Sequence, residues 1–235
     1  MSDATHILTL AVGLILGGAL TAQSADTNAL AEDDIRFAEN LARNRYFDLA
    51  KDVLTRVEQT DLSSEVEGTA LWTRARIVKR EAQNTADDAV IEALYTEVIA
   101  ELEDWARPGS RFAYHEHRTD ALWDLGEVFH ERAKLRGRLG RQTDAEADFK
   151  QADQTYNTLQ RECEDRAEQF SDLEEDDKSA EMEELAALTY FYRGRNNIEW
   201  AAHAADREFR LEQAREMLVE YQWNAAADTL PFYFA

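Results

Sequence analysis

The sequence predicts an all-α fold in which antiparallel helix pairs stack side by side as a solenoid, with some longer-than-standard helices. Three observations carry this expectation. Apolar residues recur at three- and four-residue steps from about residue 30 onward, the period of one helix face. No alternating apolar–polar run of strand length occurs. Glycine (9) and proline (2) are scarce in 235 residues, roughly 5% against a usual ~12%, whereas β-sandwiches, barrels and propellers turn every ~10 residues. Five Trp, eight Tyr and ten Phe supply bulk for a core.

The elements follow in order. Ile7 to Ala22 is an uncharged apolar run, short for a membrane span but suited to a signal peptide. Small residues follow it, Ala22-Gln23-Ser24-Ala25, as a cleavage site requires. The leading MSDATH lacks Lys and Arg and carries Asp3, where a positive charge is expected. Residues 1–22 are therefore expected to direct export to the periplasm or cell envelope and be removed; anchoring in a membrane through 7–22 is the alternative. Residues 23–29 are expected to be a linker.

The helical domain is expected over 30–224. Ile35, Ala38, Leu41 and Ala42 form a first stripe, and Leu49, Ala50, Val53, Leu54 and Val57 a second, with Asn44-Arg45-Tyr46 as the turn between them. Val66, Ala70, Ala75, Val78 and Ala82 form a weaker stripe. Ile91, Leu94, Tyr95, Val98, Leu102 and Trp105 follow, then the Pro108-Gly109-Ser110 break near 107–111. Leu122, Leu125, Phe129 and Ala133 precede Ala145, Phe149, Ala152, Tyr156 and Leu159, a stripe that extends through Cys163, Ala167 and Phe170. The acidic run Glu174 to Asp177 reads as a solvated loop or helix start near 172–178. Met182, Leu185, Leu188 and Tyr192 resume the pattern; Phe209, Ala214, Leu218 and Tyr221 close it. Ser64-x-x-Glu67 and Thr143-x-x-Glu146 fit capping boxes, and Thr85-x-x-Asp88 is a poorer version. The tail at 225–235, ending Pro231-Phe232-Tyr233-Phe234-Ala235, is apolar and resembles an unfinished repeat.

Charge narrows the function. A net −22 from 48 acidic and 26 basic residues repels phosphate backbones and anionic membranes, so nucleic acid is not an expected partner. One cysteine, Cys163, permits no intrachain disulfide.

Two segments carry a family pattern. Leu122-x2-Leu125-Gly126-x2-Phe129 followed by Ala145-x3-Phe149-x2-Ala152, and Phe37-Ala38-x2-Leu41 followed by Ala50-x3-Leu54-x2-Val57, resemble the two helices of a tetratricopeptide repeat (TPR). Ala214-x3-Leu218-x2-Tyr221 resembles a second helix. The small residues let helix backbones approach; Ala145 and Ala50 are expected opposite Gly126 and Ala38. The spacing is 12 from Ala38 to Ala50, as in the family, but 19 from Gly126 to Ala145, about two extra helical turns.

The resemblance implies a concave groove lined by first helices that holds a partner's peptide. The matching positions are Asp120, Trp123, Glu127, His130 and Glu131, and in the first pair Glu32, Ile35, Glu39 and Arg43. Such a groove, acidic with an aromatic anchor, favours a basic peptide or protein surface. Most of the tryptophans are expected to pack between helices.

No phosphate loop, dinucleotide fingerprint, G-x-S-x-G or H-E-x-x-H occurs. His115-Glu116-His117 is the nearest metal signal and is expected to be an exposed loop before a helix. The expectation is an exported, acidic scaffold or adaptor for protein–protein interaction, with no catalytic residue, no metal and no cofactor. Self-association through the ends of the stack, building a structural envelope protein, is the alternative.

Overall fold

In a computed structural model, residues 27–224 are described; the expected signal peptide and the apolar tail lie outside them. Among the described residues the regular structure is all helical, with no strand. The helices are α1 (27–43), α2 (Phe47–Val57), α3 (Ser64–Gln83), α4 (Asp88–Ala106), α5 (Arg118–Arg138), α6 (Gln142–Asp172), α7 (Asp176–Ala201) and α8 (Arg207–Asn224). None of them is long and apolar enough to cross a membrane. The chain divides into two compact units, one ending at Glu81 and one beginning at Ala82.

In the first unit, α1 starts at residue 27, so part of the expected linker is helical. Ile35, Ala38, Ala42, Ala50, Val53 and Leu54 share one buried cluster with α3. Arg45 turns the chain from α1 to α2 with a positive φ of 65°. The cap of α3 is Ser63, whose Oγ accepts from the Val66 N–H at 3.4 Å; Ser64 is already helical. Arg74 of α3 holds Glu58 through two bonds of 2.7 and 2.9 Å.

The second unit packs α4 on α5, α5 on α6, α6 on α7 and α7 on α8. Asp87, not Thr85, caps α4: its carboxylate accepts from the N–H groups of Ala89 and Val90. Thr143 caps nothing. Gly140, with φ 77°, ends the preceding turn so tightly that α6 starts at Gln142 and Thr143 lies inside its first turn. The long stripe through Cys163 and Ala167 is one 31-residue helix. Its acidic sequel is a turn through Glu174 at φ 59°, followed by Asp176 and Asp177 at the start of α7, where carboxylates oppose the helix dipole favourably.

Two packing expectations are corrected. Ala145 does not face Gly126. It shares a cluster with Ala133, Phe149 and Trp200, and Ala133 precedes it by 12 residues, the interval of Ala38 and Ala50. The extra two turns place Gly126 against Tyr156 instead, where a Cβ would lie 2.7–3.0 Å from the ring. Apart from Trp200, the buried residues of α7 are small or polar, among them Ala186, Ala187, Thr189, Gly194 and Asn196, while Met182, Leu185, Leu188 and Tyr192 are only half-buried. A helix flanked on both sides needs close approach more than bulk: a Cβ on Gly194 would lie 2.8 Å from Leu218 of α8. Trp223, 81% exposed, is an exception to the packing expected of most tryptophans.

Candidate partner-binding face of α5

Helical spacing lays Asp120, Asp124, Glu127 and Glu131 along one side of α5. Asp120 is exposed; Trp123, Asp124, Glu127 and Glu131 are half-buried. Trp123 meets Tyr192 of α7 edge-on, with centroids 4.4 Å apart, and Tyr156 of α6 at 6.2 Å. It is therefore both a wall of this face and a packing residue. Glu131 accepts from Lys134 Nζ at 3.0 Å through each oxygen and lies 3.6 Å from Arg195 of α7.

The carboxylates set a local negative field that reaches the neighbouring helices. Burial pushes the Tyr95 phenol of α4 up to about 12, and Glu131 and Glu127 add to the shift. Burial raises Tyr156 well above its ordinary value, with Glu127 the first charge to reinforce it. At Tyr156, Tyr192 and Glu131 also raise the value and Arg195 opposes them.

His130 does not line this face. It is buried beneath it, with Nδ1 3.0 Å from Asn196 Oδ1. Asn196 in turn donates to the Phe149 carbonyl at 2.9 Å. The His130 Nε2 has no hydrogen-bond partner; Glu131 Oε1 lies 4.0 Å away. Burial lowers the His130 pKa, and the Asn196 bond and Glu131 oppose that only in part. The helical offset of ten residues from Asp120 turns this side chain inward. In the first pair, Ile35 is likewise buried in the core, and Glu39 meets Arg76 of α3 at 3.4 Å; Arg76 in turn lies over the Trp72 ring, 4.6 Å from its centroid.

Sequence reasoning missed Tyr95, Asp124, Tyr192 and Arg195. The spacing of Asp124 on α5 was a usable signal. The others come from α4 and α7, and only tertiary packing brings them near.

The histidines before α5 form a packed turn rather than an exposed loop. His115 is buried, its ring edge-on to Trp105 at 5.0 Å, and its Nδ1 accepts from the His117 backbone N–H at 3.1 Å. Arg118 clamps the turn by donating to the Trp105 carbonyl and to Glu162 at 3.1 Å. Among the described residues, no three His, Cys, Asp or Glu side chains gather as metal ligands. Burial also pushes the Cys163 thiol up to about 12, which leaves it a poor nucleophile.

This face offers a row of carboxylates beside a half-exposed indole, an arrangement that attracts guanidinium or ammonium groups by charge and by the ring quadrupole. No family model matches the chain, and a search of curated proteins found no match.

Proposed function

We propose that this chain is an exported, non-catalytic helical-repeat scaffold of the TPR type that binds a basic peptide or protein surface on the α5 face. The observation that carries this is the row Asp120, Asp124, Glu127 and Glu131 along one side of α5, next to the half-buried Trp123. A cationic side chain docked there gains carboxylate contacts and an aromatic surface at once. The repeat assignment is supported by the shared 12-residue interval of Ala38/Ala50 and Ala133/Ala145, each pair within one buried cluster. The charge of the face supplies the partner's sign.

Titration calorimetry tests it. The full chain is titrated with a ten-residue Arg/Lys-rich peptide and with a Glu-rich peptide of equal length. Binding is expected for the basic peptide alone and weakens with salt. The double variant Asp120→Asn/Glu127→Gln lowers affinity on the order of 3- to 10-fold, the worth of two partly exposed ion pairs. Equal binding of both peptides, or an affinity unmoved by the double variant, defeats the assignment.

A further inference from the structure

Each unit carries an exposed apolar face outside α5. In the first unit, Leu30, Phe37 and Leu41 fall on one line along α1, with Leu49 and Val53 of α2 beside them. Phe37 and Leu49 are 54% and 55% exposed. Phe37, Leu41, Leu49 and Val53 wall a groove of about 570 Å³ with Asp52 and Arg56 at its rim. In the second unit, α8 packs on α7 through Ala214, Leu218 and Tyr221. Its opposite side carries Phe209, Val219 and Trp223, all exposed, with Glu216 between them.

Charge singles out the same two segments. Residues 27–57 hold six acidic and five basic side chains, and α8 holds four and three. Residues 58–206 hold thirty-five acidic and eighteen basic. The repulsion that keeps copies of a −22 chain apart is thus weakest where apolar side chains stand in water. Exposed apolar area in a near-neutral setting marks a contact surface, and here both halves of a contact are on one chain.

We propose that the α1–α2 groove of one copy receives the Phe209–Val219–Trp223 face of α8 from a second copy. The two faces differ, so the contact is heterologous: each copy keeps one face free, and association continues until a ring closes or a filament grows. The last helix of one copy then takes the place of a preceding repeat for the first pair of the next, as neighbouring helices cover one another within each unit. High salt strengthens the contact by screening the net charge.

Sedimentation of the full chain at low and high concentration, with two surface variants, tests it. The wild type is expected to grow in mass with concentration. Leu49→Glu alone and Trp223→Glu alone each sediment as monomer. Mixed one to one, they form a dimer and nothing larger, because one retains the groove and the other the α8 face. A wild type that stays monomeric at every concentration overturns the proposal. So does a mixture that stays monomeric while the wild type associates, which indicates a two-fold contact. A monomer whose melting temperature drops with either variant overturns it too, because the chain's own flanking residues then cover that face.

Discussion

The first helix pair and the α5–α6 pair set small residues at the same interval, each within an apolar cluster, yet only the second buries an ion pair alongside. Around Ala38 and Ala50 the filling is aliphatic: Ile35, Val53, Leu54 and Val57. Beside Ala133 and Ala145 stand Arg132 and Asp148, both buried. Arg132 donates to the two oxygens of Asp148 at 2.9 and 2.8 Å and to Thr96 at 3.0 Å. Arg136 bonds Asp148 and Glu92 at 2.8 Å each, and Arg141 reaches Glu92 at 2.6 Å. This network ties α4, α5 and α6 in one register. Burial alone would raise the Glu92 pKa, but the bonds from Arg136 and Arg141 bring it below the ordinary glutamate value. Aliphatic filling tolerates sliding, whereas paired charges in a low dielectric accept few geometries.

The sharpest way to break this contrast is to remove the shared carboxylate. Asp148→Ala leaves Arg132 and Arg136 buried without their counter-charge and is expected to cost about 3–5 kcal/mol, read from urea unfolding. Replacing all three with Leu or Met of similar volume recovers most of that loss, because apolar filling of a buried ion site is often neutral or better. A single-variant cost under about 1 kcal/mol shows instead that water solvates the arginines.

A smaller effect separates the pairs by pH. The buried residues of α1 and α2 are all apolar, whereas α5 buries His130. Its pKa is lowered in the fold, so between the folded value and ~6.5, the unfolded value, the unfolded chain binds more protons. The stability that neutral His130 contributes is present above ~6.5 and lost as pH falls through and below it. Urea midpoints at pH 7.5 and 5.5 should differ less in His130→Gln than in wild type; an equal pH response in both assigns the loss to other groups.

The smallest expected effects lie in the turns. Arg45 and Glu174 hold left-handed backbone without being glycine, a conformation that disfavours L side chains by ~1–2 kcal/mol. Glu174→Gly should therefore raise stability by up to ~1 kcal/mol, and Gly140→Ala should lower it by about as much. Melting temperatures that move together in both variants remove the conformational explanation.

Much of this architecture was legible before any coordinates. Period and punctuation located the helices, because burial of one face dictates where apolar side chains fall. The caps were misplaced by one or two residues, since Ser63 and Asp87 compete with equally plausible neighbours and turn geometry decides among them. The α7 stripe misled because a helix covered on two sides buries its small residues. The candidate face was half legible: Asp120, Trp123, Glu127 and Glu131 followed from spacing on α5, which also offsets His130 inward, but the Asn196 that meets its ring lies 66 residues away. Pairings across such distances leave no mark in local pattern.

Cys163 has one more use. As the sole thiol in the chain, buried in α6 with its pKa raised, it is shielded from alkylating reagents while α6 stays covered. Its labelling rate therefore measures how often that covering opens, a clock for breathing of the helix stack that needs no introduced probe.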